Sequence, residues 1–325
     1  MAVRALGASA LQVTPIGLGL AALGRPAYIN LGREKDLGTD RSVPAMEQRS
    51  HQVLNAAYDA GVRYVDAARS YGFAELFLAS WLEARKPADL TVGSKWGYTY
   101  LADWRMDASV NEVKDHSLAA LQRQIRESRA LLGGHLDLYQ VHSATLESGI
   151  LADQVVLAEL ARLRSEGLTI GLSVSGPAQP AVIRRALEVS VDGINPFQAV
   201  QATWNLLEPS AATALAEAHA AGWGVIIKEA LANGRLSSSN PDPEVDVLRE
   251  VAAAKETAID ALAIASALAN TWVDIVLSGA ASVEHVRSNL RGAEVDLKPA
   301  DVEKLAGLAE PSDSYWSRRG SLPWM

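Results

Sequence analysis

Four ionisable side chains follow apolar runs that are typical of buried strands. Asp66 and Tyr71 follow one such run, Lys95 follows the next, and His142 follows the one after that. A charged or titratable group at the end of a buried strand needs either a partner or a function. We therefore expect these four side chains to meet in one site.

The four groups suit proton transfer to a carbonyl oxygen. A free phenol has a pKa of about 10, and a nearby ammonium lowers that value, so Lys95 is expected to activate Tyr71. Asp66 would hold Lys95 in place and keep it charged, while His142 would orient the carbonyl oxygen. No side chain delivers hydride, so carbonyl reduction here implies a nicotinamide cofactor.

The elements that must position these groups read as alternating strands and helices. The strand-like runs are nearly continuous apolar strings, as in parallel strands that are covered on both faces. They are Ile16–Leu20, Val62–Asp66, Leu90–Ser94, Leu136–Val141, Thr169–Val174, Phe197–Gln201, Gly224–Lys228 and Val273–Ser278. Eight such units predict an α/β fold, a closed (β/α)₈ TIM barrel whose active site gathers at the carboxyl ends of the strands. An open, doubly wound sheet is the alternative.

Several segments extend or decorate this barrel. Val3–Val13 predicts an N-terminal hairpin, and Pro26–Arg49 predicts a long loop after the first strand. Among the helical patterns, Val110–Leu132 and Val245–Ala269 are the longest. No linker divides the chain, so residues 1–325 are expected to form a single domain.

Composition excludes several function classes. The 30 basic and 38 acidic side chains give a net charge of −8 without a long basic run, which argues against nucleic acid as a partner. The absence of cysteine excludes disulfides, thiolate metal sites and a cysteine nucleophile. No zinc or calcium motif is present, so no metal is expected. No signal-peptide pattern or membrane span is found, and we expect a cytoplasmic monomer or small homo-oligomer with no membrane partner.

The chain resembles the aldo-keto reductase family over nearly its whole length. The segments that carry the resemblance are Leu6–Val13, Ile16–Gly19, Val65–Gly72, Gly93–Lys95 and Leu136–His142. The resemblance implies that Tyr71 is the proton donor or acceptor, with Asp66, Lys95 and His142 as its supports. It also implies a barrel enzyme that uses a nicotinamide cofactor.

The resemblance extends to residues for the nicotinamide end of the cofactor. Ser173 matches the serine of a Ser-Asn pair that holds the carboxamide, although Val174 replaces the asparagine. Gln201 matches the carboxamide glutamine, and Gly19 ends the first strand of the matched opening. Lys228 stands where the family places an aromatic ring on the nicotinamide, so we expect it to bind cofactor phosphate or substrate, or to pair with Glu229.

The segment after the eighth strand resembles the part of the family that holds the adenosine end. Gly279, Ser282, Arg287 and Asn289 are the residues predicted to bind there, with phosphate at the helix start near Ser282. Members selecting the 2′-phosphate often offer lysine and arginine where this chain has Gly279 and His285. Family habit favours NADP(H), and NAD(H) remains possible.

Aromatic residues after the strands predict a substrate wall. Trp96 and Trp104 follow the third strand, and Trp316 lies near the C-terminus. The sequence thus predicts an NAD(P)-dependent oxidoreductase acting on a small carbonyl or alcohol substrate, an aldehyde, ketone or sugar. Three alternatives stay open: an NAD-linked aldose dehydrogenase working in the oxidative direction, a Schiff-base lyase on Lys95 or Lys228, and a non-catalytic, nucleotide-binding regulatory barrel.

Overall fold

Eight parallel strands close into a barrel in the computed structural model, which describes residues 1–29, 31 and 36–322. The strands of the chain are β1 (Arg4–Ala5), β2 (Gln12–Val13), β3 (Ile16–Gly19), β4 (Tyr64–Asp66), β5 (Thr91–Trp96), β6 (Tyr98–Tyr100), β7 (Glu112–Lys114), β8 (Leu136–Ala144), β9 (Thr169–Val174), β10 (Ala199–Thr203), β11 (Gly224–Lys228) and β12 (Ile275–Ser278). The barrel order is β3-β4-β5-β8-β9-β10-β11-β12, and β12 pairs back onto β3 with Leu277 opposite Gly17. This closure confirms the predicted barrel and excludes the open sheet.

Helices cover the outside of the barrel and follow the strands in sequence. They are α1 (Val43–Asp59), α2 (Ala74–Arg85), α3 (Leu118–Leu132), α4 (Gln154–Ser165), α5 (Gln179–Leu187), α6 (Ala212–Ala220), α7 (Asp246–Ala254), α8 (Ile259–Leu268), α9 (Val283–Leu290), α10 (Pro299–Ala306) and α11 (Ser312–Gly320). Most of them contribute an apolar face to a core that is shared with the outward-facing strand residues, whereas α7, α10 and α11 pack into a smaller, separate cluster.

Two predicted helices have different bounds in the structure. Val110–Leu132 begins as strand β7, and its helix starts only at Leu118, where the Ser117 hydroxyl caps the backbone N–H of Ala120 at 3.2 Å. Val245–Ala269 is broken into α7 and α8, with Glu256 between them in the left-handed region at φ 52°. A non-glycine residue in that conformation ends a helix.

The N-terminal hairpin of β1 and β2 confirms the one predicted over Val3–Val13 and closes the bottom of the barrel. Leu6 and Val13 join the interior core beneath the strands. Gly7 allows this approach because its φ is +53° and an added Cβ would come within 2.7 Å of the Gly222 carbonyl oxygen. The loop predicted over Pro26–Arg49 is shorter, since α1 begins at Val43, and part of it lies outside the described residues.

Among the described residues, every helix is too short or too polar to span a bilayer.

Candidate active site

The carboxyl ends of β4, β5 and β8 bring the predicted acid–base residues together. Lys95 Nζ donates to the Tyr71 hydroxyl at 3.4 Å and to the Ala67 carbonyl at 3.0 Å, and it forms a buried ion pair with Asp66. Lys95 is fully buried and Asp66 is 1% exposed, so water does not screen this pair. The phenol, the ammonium and the carboxylate therefore form one connected chain.

Asp66 is held by more donors than Lys95 alone. Its Oδ2 accepts from the Tyr64 hydroxyl at 3.1 Å, from Gln140 Nε2 at 3.3 Å and from Gln201 Nε2 at 2.9 Å. Its Oδ1 receives the Lys95 ammonium. A buried carboxylate keeps its charge only when its oxygens are satisfied in this way.

Burial decides the protonation of Tyr71. Desolvation, followed by the charge of Asp66, raises the pKa of Tyr71 far above 10, although the nearby Arg25 guanidinium opposes the shift. The direction is opposite to the lowering that we expected from Lys95, because the loss of solvent outweighs the nearby cations. Burial also lowers the pKa of Lys95, against the pull of Asp66. The phenol is therefore protonated at neutral pH.

His142 faces the phenol as a neutral ring. Burial, and next the charge of Lys95, hold the pKa of His142 well below 6.5. Its Nδ1 lies 3.3 Å from the Ser70 hydroxyl, and its ring meets those of Tyr71 and Tyr98 edge to face at 5.5 and 5.0 Å. With Ser70 donating to Nδ1, the other nitrogen carries the N–H that a carbonyl oxygen needs.

Asp66, Tyr71 and His142 line a cavity of about 460 Å³, within the range of small-molecule sites. The cavity runs from Tyr71 and His142 across the mouth of the barrel to Asn289 in α9. Asn289 Nδ2 donates to the Ser278 hydroxyl at 2.8 Å, but its Oδ1 is buried without a hydrogen-bond partner. An orphaned acceptor in a cavity wall fits a ligand that brings its own N–H donors.

Five of the predicted cofactor residues line this cavity: Gly19, Gln201, Lys228, Gly279 and Asn289. The structure does not bring Ser173, Ser282 or Arg287 to its wall. The Ser173 hydroxyl accepts from the backbone N–H of Ser143 at 2.8 Å, the Ser282 hydroxyl caps α9, and Arg287 is exposed. The helix start near Ser282 still adjoins the cavity through Gly279 and the two alanines after it.

Lys228 is held at the cavity wall by two hydroxyls. Its Nζ donates to Thr203 Oγ1 at 2.7 Å and to Ser175 Oγ at 3.0 Å, and lies 3.9 Å from a carboxylate oxygen of Glu229. Burial lowers the pKa of Lys228 to about 8, although Glu229 opposes the shift. The position expected for an aromatic ring thus carries a buried, hydrogen-bonded amine.

The tryptophans predicted for the substrate wall lie behind the cavity rather than on it. Trp96 is fully buried because it follows Lys95 on β5 and so points to the opposite, outer face of the strand. Trp104 stacks on Phe73 at 4.8 Å, and its indole N–H donates to the Arg41 carbonyl at 2.7 Å. Trp316 packs against Lys228, whose ammonium lies 6.0 Å from the centre of the indole ring.

Residues that we did not predict complete the wall near Tyr71. The Arg25 guanidinium lies 5.2 Å from the centre of the Tyr71 ring and 3.1 Å from a carboxylate oxygen of Glu112. Tyr28 and Arg319 also line the cavity. Arg25 and Tyr28 lie in a loop without periodicity, so their polarity gave no signal, and Arg319 lies in a helix without an apolar stripe.

Among the described residues, no group of three or more histidine, aspartate or glutamate side chains has an arrangement that could hold a metal ion.

A sequence model of the Aldo/keto reductase family matches residues 15–310. D-threo-aldose 1-dehydrogenase from a Pseudomonas species is 26% identical over 206 residues, which cover 58% of this chain and 61% of that protein. The chain thus spans about three fifths of the length of that relative. A Saccharomyces cerevisiae protein named as a probable aryl-alcohol dehydrogenase is 25% identical over 293 residues, covering 81% of this chain and 88% of the other.

A solved structure shares the fold. The holo form of an aldo-keto reductase from Bacillus halodurans superposes with a TM-score of 0.72 at 24% sequence identity, covering 95% of this chain and 97% of that one.

Proposed function

This chain belongs to the Aldo/keto reductase family, and from that premise we propose that it is an NAD(P)-dependent oxidoreductase that transfers hydride between nicotinamide and a carbonyl or alcohol substrate. Enzymes of this family act on small-molecule carbonyls or alcohols with a nicotinamide cofactor. The observation that carries the proposal is the 3.4 Å contact between Lys95 Nζ and the Tyr71 hydroxyl. Tyr71 itself lines a cavity of the size that small-molecule ligands occupy.

Tyr71 is the proposed general acid and base. Bound nicotinamide supplies or takes the hydride, which no protein side chain can do. As a carbonyl is reduced, the Tyr71 hydroxyl gives its proton to the oxygen, and the Lys95 ammonium stabilises the phenolate that is left. His142 donates a hydrogen bond to the same oxygen as a neutral ring. In the oxidative direction Tyr71 accepts the alcohol proton.

The residues that line the cavity away from Tyr71 fit the cofactor. Lys228 and Gln201 are proposed to hold the nicotinamide end, and Gly279 and Asn289 the adenosine end, where the buried Asn289 Oδ1 lacks a donor. The start of α9 supplies backbone N–H groups for phosphate. NADP(H) is favoured by family habit, with NAD(H) possible.

Replacing Tyr71 by phenylalanine tests the proposal. We expect Tyr71→Phe to reduce turnover of the best carbonyl substrate at least 1,000-fold, because it removes the only transferable proton at that position. Cofactor affinity, measured by fluorescence titration with NADH and NADPH, should change less than twofold. Wild-type turnover in this variant would overturn the assignment of Tyr71.

The same titrations and a substrate panel separate the remaining alternatives. Binding of cofactor without turnover of any aldehyde, sugar or ketone favours a regulatory barrel. Covalent trapping of substrate by borohydride, abolished in Lys95→Met or Lys228→Met, favours a Schiff-base lyase.

A second candidate within the proposed class is oxidation of an aldose at its first carbon. The wall beside Tyr71 is polar, since the ion pair between buried Arg25 and half-buried Glu112 faces the cavity there. Paired guanidinium and carboxylate groups offer both donors and acceptors, as a polyhydroxylated chain requires and an aryl group does not. The Pseudomonas relative is named as an aldose 1-dehydrogenase, which agrees with this candidate. The yeast relative is named as a probable aryl-alcohol dehydrogenase, an activity that the polar wall favours less.

A further inference from the structure

A second layer of polar side chains lies inside the barrel, beneath the acid–base residues. Tyr64 has no solvent exposure, and it rises from the interior core toward Asp66. Its hydroxyl donates to Asp66 Oδ2 at 3.1 Å, and Gln140 Nε2 reaches the same oxygen at 3.3 Å from β8. Neither Tyr64 nor Gln140 touches Tyr71 directly through a hydrogen bond among those described.

Two glycines on the neighbouring strands make the space that the Tyr64 ring occupies. Gly17 and Gly93, on the two strands that flank β4, face it: a Cβ at Gly17 would lie 2.8 Å from the ring, and one at Gly93 would collide with the hydroxyl. The ring is therefore fixed, and so is the direction from which its hydroxyl meets Asp66.

This layer determines how Asp66 shares its charge. Oδ2 is satisfied by neutral donors, whereas Oδ1 receives the Lys95 ammonium. Each neutral hydrogen bond draws negative charge of the carboxylate toward Oδ2 and away from the oxygen that faces Lys95. More of the ammonium charge is then left for the Tyr71 oxygen.

We propose that Tyr64 and Gln140 are positioning residues that act on Tyr71 through Asp66 and Lys95. The inference rests on the proposed function for its kinetic consequence, but not for the contact itself. Loss of either donor leaves the ammonium more tightly paired with Asp66 and the Tyr71 phenolate less stabilised.

Other titratable groups also influence the pKa values of these side chains, and none of them is substituted in the test. They are Arg25, Glu112 and Glu229 on Tyr71, Asp137 on Tyr64, Tyr28 and Glu75 on Lys95, and Lys95, Arg25, Lys228 and His116 on His142. A change on removing one neutral hydroxyl can therefore be assigned to that hydroxyl.

The test compares Tyr64→Phe and Gln140→Met with Tyr139→Phe. Tyr139 is a buried tyrosine on β8 that packs in the outer core, away from Asp66. We expect Tyr64→Phe to lower kcat about tenfold, with KM and cofactor Kd within twofold of wild type. The apparent pKa of alcohol oxidation should rise by about half a unit. Gln140→Met should act in the same direction and less strongly, and Tyr139→Phe should leave all of these values unchanged.

A readout without turnover separates this proposal from the proposed function. The ¹³Cζ resonance of Tyr71, assigned by its loss in Tyr71→Phe, should move in Tyr64→Phe and Gln140→Met but not in Tyr139→Phe. If no carbonyl is turned over by wild type and the resonance still moves, the proposed function fails and the positioning role stands. An unmoved resonance and an unchanged pH profile in folded Tyr64→Phe and Gln140→Met would overturn the proposal, as would equal effects in Tyr139→Phe.

Discussion

At the scale of single residues, two opposing influences meet on Tyr71. Burial and the Asp66 charge favour the neutral phenol, while Lys95 and Arg25 lie close enough to favour the phenolate. The balance leaves the proton on the phenol, which is the form that can donate to a carbonyl. Alcohol oxidation requires the opposite form, so on the proposed function its rate should rise with pH.

Glu112 is the residue whose substitution reports on the substrate. Its carboxylate lines the cavity beside Tyr71 and holds Arg25, and its side chain is 24% exposed. We expect Glu112→Gln to lower kcat/KM for glyceraldehyde about tenfold, the worth of one charge-assisted hydrogen bond to a substrate hydroxyl. The value for propanal, which lacks hydroxyls, should change less than twofold. Steady-state kinetics on the two aldehydes measure the difference.

Glu147→Gln is the matched control, because Glu147 is exposed near the same rim but does not line the cavity. It should leave both aldehydes unaffected. Equal losses on glyceraldehyde and propanal in Glu112→Gln would mean that the ion pair only supports the fold, and the aldose candidate would lose its structural support.

At the scale of elements, the β6–β7 hairpin is fastened to the strand that carries His142. Lys114 Nζ donates to the Ser143 carbonyl and His116 Nε2 donates to the His142 carbonyl, both at 2.9 Å. At the other side of the hairpin, Gly97 N–H donates to Gln124 Oε1 at 2.9 Å. One wall of the cavity is thereby fixed to the backbone of His142 and Ser143.

His116 makes this attachment sensitive to pH. Burial lowers the pKa of His116 to about 4 from 6.5, and its Nδ1 is buried without a partner, so protonation has no acceptor there. Between these pKa values the unfolded chain binds more protons than the folded one. The contribution of the neutral His116 ring to the free energy of unfolding is present above pH 6.5 and is lost as the pH falls toward 4. The free energy of unfolding of the wild type should fall between pH 7.5 and pH 5, and in His116→Asn this fall should be smaller by about 1–2 kcal/mol. Urea unfolding at the two pH values measures the difference.

His135→Asn serves as the comparison, since His135 lies just before β8, at the opposite end of that strand from His142. An identical pH dependence in wild type and His116→Asn would show that the ring does not titrate on unfolding.

The barrel strands, which are buried on both faces, could be predicted from the sequence, whereas the exposed β6–β7 hairpin and the last helix could not. All eight barrel strands were found because two-sided burial leaves continuous apolar runs. Strand β7 fell within the predicted helix Val110–Leu132 and strand β6 was not predicted, since neither strand is buried on both faces. Helix α11 was missed because, of its nine residues, only Tyr315 is buried, which leaves no apolar stripe.

The same limit applies to the site. Strand ends indicated Asp66, Lys95 and His142, because a charge after an apolar run is conspicuous. The sequence does not say which face of a strand looks inward, so Trp96 was assigned to the cavity beside Lys95. Arg25 reaches Tyr71 only through the path of its loop, which no periodicity describes. The cofactor assignments and the single-domain organisation stay predictions.

At the scale of the whole molecule, a half-buried ion pair helps to hold the last helix against the barrel mouth. Arg319 in α11 donates hydrogen bonds to both carboxylate oxygens of Glu229. Glu229 follows β11 directly and lies in the left-handed region at φ 57°. Although burial alone would raise it, Lys228 and Arg319 hold the pKa of Glu229 at about 2. Removing Arg319 leaves a buried carboxylate with one cation fewer.

We expect Arg319→Met to reduce the free energy of unfolding by about 3 kcal/mol at neutral pH, because the methionine keeps the apolar stem but loses the charge and the hydrogen bonds to Glu229. Urea unfolding measures the change. Arg318→Met is the neighbouring control: its side chain is 49% exposed and pairs with Glu244 at the surface, so its loss should amount to less than about 1 kcal/mol. Equal losses in both variants would contradict the role given to the Arg319 pair.

The closed sheet also divides into two arcs. Asp66, Lys95 and His142 belong to β4, β5 and β8, whereas the cavity residues proposed to hold the cofactor come mostly from β10, β11 and the segment after β12. Gln201 spans the arcs by donating to Asp66. Substitutions confined to the second half of the chain could therefore change which nicotinamide cofactor is preferred during evolution, while the residues proposed to transfer the proton stay the same.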